Sequence, residues 1–245
     1  MDIWEANARA TVYTPHTCSG TGSFLCSGDE CGAAGVCDKS GCGLNPFRSG
    51  FPNYYGTGDN MTVDTTQPFT VVTQFVSSDG TDAGDLAEIK RLYIQGGNVI
   101  ENHPESSDTE EPSFVSDDFC TDKAKDYMRL GATKGMGESL KRGMVLIFSI
   151  WNSDGDFMNW LDSGEAGPCS ATEGNPTDIL KQNPDISVTF SNIRWGEIGS
   201  TFDMEAEEPA AIPGIVRASA LGDAKRNVAS AAAIVVAGVA GAWLL

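Results

Sequence analysis

Asp2 and Glu5 stand on either side of Trp4 in the opening stretch Met1-Asp2-Ile3-Trp4-Glu5-Ala6-Asn7. Paired carboxylates are what glycosidic-bond hydrolysis requires: one holds a proton for the leaving oxygen, the other faces the anomeric carbon. A retaining arrangement sets the two roughly 5–5.5 Å apart. The stretch has the composition of a buried strand, whose side chains alternate with a period of two. In a regular strand Asp2 and Glu5 therefore point to opposite faces. They share a cleft only if a bulge adds one residue between them. Glu5 must also keep its proton near working pH, which takes burial or neighbouring negative charge. The plain alternative is two surface acids flanking a core tryptophan.

The elements that must position this pair read as β-structure. Phe69 to Val76 is apolar on both faces, as in a strand inside a sandwich. Leu86–Gln95 alternates as a second strand, and Gly96-Gly97 turns it into a third over Asn98–Glu101. Met144–Trp151 is eight residues rich in β-branched and aromatic types, which predicts a central strand. Ile186–Trp195 reads as another. Two short helices are expected, at Thr121–Arg129 with Thr121 as N-cap and at Gly135–Lys141. Thr14 to Gly58 is a loop-rich segment with Pro15, Pro46 and Pro52, and residues 101–118 form an acidic exposed loop that holds His103, read as solvated.

The chain has 245 residues, enough for one large or two small domains. Its net charge is −18, from 34 acidic against 16 basic residues, which argues against nucleic acid as a partner. Five of the seven cysteines (Cys18, Cys26, Cys31, Cys37, Cys42) cluster ahead of Cys120 and Cys169. No C-x-x-C occurs, and neither His16 nor His103 has a zinc-like companion, so no metal site is expected. A disulfide framework in an oxidising compartment is the better reading, and the odd count leaves one thiol over. Asn60-Met61-Thr62 is an N-glycosylation sequon, placing Asn60 as a candidate modification site and leaning toward secretion.

Residues 202–227 are rich in Glu, Ala and Pro and read as a linker. Val228 to Leu245 then runs 18 residues without a charge, close to the 20 or so a membrane helix needs. Small residues at Ser219–Ala224, a short polar spacer and the apolar tail match a glycolipid-anchor signal. A single spanning helix and a buried core helix are the alternatives. All three make the tail an apolar helix, and the first two attach the chain to a membrane.

The opening residues resemble the signature of glycoside hydrolase family 7, the fungal-type cellulases, which reads Glu-Met-Asp-Ile-Trp-Glu-Ala-Asn. Further matches are Thr14-Pro15-His16, Asn45-Pro46-Phe47-Arg48, Val71-Val72-Thr73-Gln74-Phe75, Gly143-Met144-Val145-Leu146 and Phe190-Ser191-Asn192-Ile193. Met158–Gly164, running straight into Ala166-Gly167-Pro168-Cys169, resembles the endoglucanases more than the cellobiohydrolases, which carry a longer insertion and an Arg where Pro168 stands. The shorter loop implies an open cleft.

The resemblance implies an all-β antiparallel sandwich, a concanavalin-like jelly roll, with residues 1–201 as the C-terminal part of the catalytic domain. It implies hydrolysis of β-1,4-glucan with retention, without metal or organic cofactor. Glu5 takes the place of the acid/base, Asp2 of the auxiliary carboxylate, and His16 of a supporting residue. The family's nucleophilic Glu falls just before Met1, so the sandwich is expected to be incomplete at its N-terminus and this chain inactive alone. Trp151 and Trp160 match positions that line the glucan cleft, where indole faces pack on pyranose rings, though core packing competes for such residues. Arg48 is a candidate donor to sugar hydroxyls, and Trp4 is assigned to the core. The implied disulfides are Cys18–Cys37, Cys26–Cys31 and Cys42–Cys120, with Cys169 unpaired. A secreted, surface-anchored monomer follows. The rival reading is a non-catalytic surface module that binds β-glucan through Trp151 and Trp160.

Overall fold

The computed structural model describes residues 1–102 and 113–202, together with the backbone of Ala232–Val239. His103, most of the acidic loop, nearly all of the linker and the rest of the tail lie outside the described residues.

The chain opens with an antiparallel hairpin, β1 (Asp2–Ala6) and β2 (Thr11–Thr14). Asn7 makes its turn: the Asn7 N–H donates to the Ala10 carbonyl at 3.1 Å, and Asn7 Oδ1 accepts from the backbone of Arg9 and Ala10. A disulfide-stapled loop follows, then a two-residue parallel ladder between β3 (Tyr55–Gly56) and β4 (Val63–Asp64). The long strands are β5 (Phe69–Ser77), β6 (Leu86–Gln95), β7 (Asn98–Glu101) and β8 (Thr189–Glu197). With β9 (Ala232–Val239) they form one antiparallel sheet in the order β7-β6-β5-β9-β8.

The hairpin packs as a second layer on this sheet. Tyr13 of β2 shares a core with Phe75, Leu86 and Ile89, while Trp4 and Ala6 of β1 pack on a cluster of Tyr54, Tyr55, Phe69 and Tyr93. Trp4 thus belongs to the core. Its Nε1 donates to Thr11 Oγ1 at 3.0 Å, and that hydroxyl pairs with the Tyr93 hydroxyl, so the buried indole N–H is satisfied. Beneath the hairpin lies Arg91 of β6, 1% exposed, its guanidinium 4.9 Å from the Tyr13 ring centroid. It donates from Nη2 to the Ile3 carbonyl and so ties β1 to the sheet.

Short helices accompany the strands: α1 (Asp117–Cys120), α2 (Lys125–Arg129), α3 (Ala132–Lys141), α4 (Asn159–Asp162) and α5 (Pro176–Gln182). Of the helix predicted over Thr121–Arg129, only Lys125–Arg129 is helical, as α2. Ser116, not Thr121, caps α1 by accepting from the Phe119 N–H, and Thr121 closes that helix. Gly131 (φ +121°) then separates α2 from α3 in a conformation a side chain would resist. Gly137 lets α3 lie close on β6, because a Cβ there would fall 2.6 Å from Leu86 Cβ.

Two expectations are corrected. Met144–Trp151 is not a strand but an exposed run without regular structure, with Val145 85% and Ile147 77% exposed. Its composition is right for a central strand, yet a strand needs a ladder partner, and the free edge of β5 is taken by β9. The tail accounts for the second correction. Ala232–Val239, expected within an apolar helix, is a strand bonded to β5 on one side and β8 on the other. Its Ile234-Val235-Val236 core is β-branched, and two flanking ladders satisfy the backbone as well as a helix would. Among the described residues no helix is long and apolar enough to cross a membrane.

Candidate active site

The hairpin carries the irregularity that the carboxylate pair needs. Asp2 lies opposite Thr14 and Glu5 opposite Val12, so three steps along β1 match two along β2, and the register shifts between them. This is a β-bulge. Asp2 and Glu5 consequently line one cavity of about 710 Å³, with Val12, Thr14, His16 and Trp160 on its walls.

His16 fixes Asp2. Its Nε2 lies 2.8 Å from Asp2 Oδ2, and its Nδ1 lies 3.2 Å from the Asp38 carbonyl. A carbonyl and a carboxylate only accept, so both ring nitrogens donate, which is the imidazolium form. The His16 pKa is raised accordingly by the hydrogen bond to Asp2, and the Asp2 carboxyl is lowered by the same bond. Glu5 goes the other way. Burial, reinforced by the negative charge of Asp2, pushes its carboxyl up from 4.5 to about 7. One member of the pair is held as an anion and the other retains a proton near neutrality, a separation that suits a stabilising carboxylate beside a general acid.

The far wall is a loop built from α4 and the residues after it. Its entry is strained: Phe157 (φ +54°) and Met158 (φ +62°) are consecutive non-glycine residues in the left-handed region. Gly167 closes the loop, since a Cβ there would lie 2.4 Å from the Asp162 carbonyl. Trp160 reaches the cavity from α4. Trp151 does not line it, but stacks on Trp160 with ring centroids 5.9 Å apart and planes at 26°. Arg48 also lines the cavity, and its Nη2 donates to the Trp160 carbonyl at 3.2 Å, so one donor expected for a sugar is engaged with the protein. Lys39 and Lys123, neither of them singled out from the sequence, and Asn45, noted there only within its motif, complete much of the wall. A lone Lys or Asn in an irregular loop carries no periodic signal that marks it.

Disulfides join Cys18–Cys37, Cys26–Cys31 and Cys42–Cys120. Cys42 lies on the cavity wall and Cys120 ends α1. Cys169 is free and half-buried; burial, with Asp162 beside it, pushes its thiol up to about 11. Asn60 is exposed in the turn between β3 and β4, outside the cavity. Among the described residues no cluster of His, Cys, Asp and Glu could hold a metal ion.

The family model for glycosyl hydrolase family 7 matches residues 1–202. A probable endo-beta-1,4-glucanase celB of Aspergillus terreus is 57% identical over 202 residues, covering 82% of this chain and 48% of that protein. The endoglucanase type C of Fusarium oxysporum is 52% identical over 208 residues, covering 84% and 48%. Among solved structures, the native Humicola insolens endocellulase EGI superposes with a TM-score of 0.70 at 49% identity, covering 75% of this chain and 46% of that one. Endoglucanase I complexed with cellobiose gives 0.69 at 50% identity, covering 74% and 46%. The chain spans about half the length of the curated relatives it matches. On the strength of the match across residues 1–202, and of these relatives, the chain belongs to glycosyl hydrolase family 7.

Proposed function

We propose that this chain carries the acid/base half of a retaining endo-β-1,4-glucanase site. The observation that carries the reading is the bulge that brings Asp2 and Glu5 into one cavity with Trp160. Glu5 protonates the glycosidic oxygen as the bond to the anomeric carbon breaks. It then takes a proton from the water that releases the glycosyl-enzyme. Asp2, held as a carboxylate by His16, stabilises positive charge and keeps Glu5 protonated. The nucleophile is the Glu that the family signature places before Met1. Support for an endo mode is the short loop from Met158 to Cys169, together with the endoglucanase names of the relatives. The same reading takes the two packed layers as part of a concanavalin-like jelly roll acting as a secreted monomer, with Asn60 glycosylated.

The test is an extension. The 245-residue chain should bind cellotetraose without hydrolysing carboxymethylcellulose. Joining to Met1 the corresponding N-terminal portion of the Aspergillus terreus relative should restore hydrolysis with retained anomeric configuration, and Glu5→Gln should abolish it. Inverted product, or an extended chain that binds but never cleaves, would sink the proposal; the latter outcome favours the non-catalytic glucan-binding module.

Surface attachment through the tail belongs to the same proposal and rests on the uncharged run Val228–Leu245. It requires Ala232–Val239 to leave the sheet. Phosphatidylinositol-specific phospholipase should release the protein from cells, and retention after that treatment overturns the glycolipid form.

A further inference from the structure

Two amides, a buried Asn45 and an exposed Asn7, join the hairpin side of the cavity to the loop that carries Trp160. Asn45, 2% exposed, uses every hydrogen-bonding position it has. Its Oδ1 accepts from the N–H groups of Phe47 at 2.9 Å and Arg48 at 3.3 Å. Its Nδ2 donates to the carbonyls of Leu161 at 3.3 Å and Ala166 at 2.8 Å. Asn7 repeats the device from the hairpin turn. Its Oδ1 is spent on Arg9 and Ala10, and its Nδ2 donates to Asp162 Oδ2 at 2.6 Å. Only one orientation of each amide satisfies these partners, since the oxygen must face N–H groups and the nitrogen must face oxygens.

The loop needs such holding. Phe157 and Met158 lead into α4 in the left-handed backbone region that residues other than glycine resist. The helix itself is one turn, Asn159–Asp162, too short to stand unaided. Leu161 and Met158 add a small apolar contact to Ala10 and Val12. The directed bonds from the hairpin side come from Asn7 and Asn45, with Arg48 as a third on the Trp160 carbonyl.

We propose that Asn7 and Asn45 are positioning residues that lock the loop Asn159–Cys169 to the Glu5 hairpin and so set where the Trp160 platform stands in the cavity. Asn7 lies two residues beyond Glu5, and Asp162 lies two beyond Trp160, so this bond couples the proton donor to the sugar-stacking surface. The role in glucan binding rests on the proposed function above; the lock itself does not.

The chain contains its own reporter. Cys169 sits at the end of the locked loop, its N–H bonded to the Asp162 carbonyl at 2.8 Å, and its thiol is half-buried. Asn45→Asp replaces a donor facing two carbonyls with an acceptor, and Asn7→Asp sets two carboxylates against each other. In the full 245-residue chain each should accelerate labelling of Cys169 by a disulfide reagent about tenfold or more, with cooperative thermal unfolding retained. The double variant Asn7→Asp with Asp162→Asn exchanges the partners; because Asp162 itself raises the Cys169 pKa, its labelling is compared with that of Asp162→Asn alone and should be no faster. Trp160 emission, taken as the difference between a Trp151→Phe background and the same background with Trp160→Phe because Trp4, Trp195 and Trp243 also emit, should shift toward that of an exposed indole in the single variants and revert in the double. Unchanged labelling in both single variants overturns the proposal. So does faster labelling with an unaltered Trp160 signal, because the loop would then move without the platform. These readouts need no sugar. A lock that passes them while cellotetraose binds equally to parent and variants would count against the glucan reading alone.

Discussion

His16 bridges Asp2 Oδ2 at 2.8 Å and the Asp38 carbonyl at 3.2 Å, so a cation is built into the wall beside the carboxylate pair. The three titrating groups divide the pH scale between them. Asp2 has its pKa lowered below 3.8, so its share of stability is present above that value and is lost as pH falls through the lower folded pKa. His16 is raised above 6.5, so its share is present below 6.5 and is lost as pH rises through the higher folded pKa. Glu5, raised from 4.5 to about 7, binds its proton more tightly in the fold, and stability falls as pH rises across that interval.

Asp2→Asn therefore has a signed outcome. It removes the charge that helps keep Glu5 protonated, so the Glu5 pKa should fall from about 7; burial, its larger cause, should keep it above 4.5. His16 loses its hydrogen-bonding carboxylate, and its pKa should fall as well. Carboxyl and imidazole chemical shifts followed across the titration measure both. A Glu5 pKa that stays put or rises in the variant contradicts the assignment of Asp2 as its charged neighbour. In the parent, thermal stability from these groups should peak in mildly acidic solution, and Glu5→Gln should flatten the decline from pH 4.5 to 7.

The disulfides should be unequal in weight. Cys42–Cys120 spans a sequence separation of 78, and Cys26–Cys31 one of 5. Constraint of the unfolded chain grows with the logarithm of loop length, giving about 4.5 kcal/mol for the former and about 2 kcal/mol for the latter. Both Cys42 and Cys120 also lie in the main core, with Tyr13, Ile89 and Phe119 around them. Paired Cys→Ser replacement at 42 and 120 should lower the denaturation midpoint roughly twice as far as replacement at 26 and 31. Equal losses would show that local packing, not loop closure, sets the contribution.

What the sequence made legible follows from how local the signal is. β5, β6 and β7 are readable because alternation and the Gly96-Gly97 turn are contained within each segment and its neighbour. The bulge between Asp2 and Glu5 is inferable because two carboxylates at odd spacing can share a cleft in no other way within a strand. Met144–Trp151 and Ala232–Val239 depart from expectation because each is apolar enough for several states, and the choice is made by which segment sits against β5. Asn7 and Asn45 fall within the matched motifs, but nothing local tells what they hold. Their partners, Asp162 and the carbonyls of Leu161 and Ala166, lie more than a hundred residues away, and only the folded chain brings them together.

Trp151 and Trp160 lie 5.9 Å apart between ring centroids at 26°, close enough for their excited states to couple. The chain should therefore show an exciton couplet in its far-UV circular dichroism, and Trp151→Phe and Trp160→Phe should abolish it equally. The same spacing constrains how a sugar binds. A pyranose placed between two rings needs a carbon contact of about 3.5–4.0 Å on each side, a separation of at least about 7 Å. The observed gap is too small, so a glucan must stack on an outer face. Trp160 offers one to the cavity, and Trp151 does not line it. Cellotetraose at saturation should accordingly leave the couplet in place while quenching tryptophan emission. Trp160→Ala should weaken binding about tenfold, as expected for an aromatic contact of roughly 0.5–1.5 kcal/mol plus its buried area, and Trp151→Ala should weaken it less. Loss of the couplet on adding sugar would show instead that the two indoles part to admit a ring between them, and the platform would then be the pair rather than Trp160.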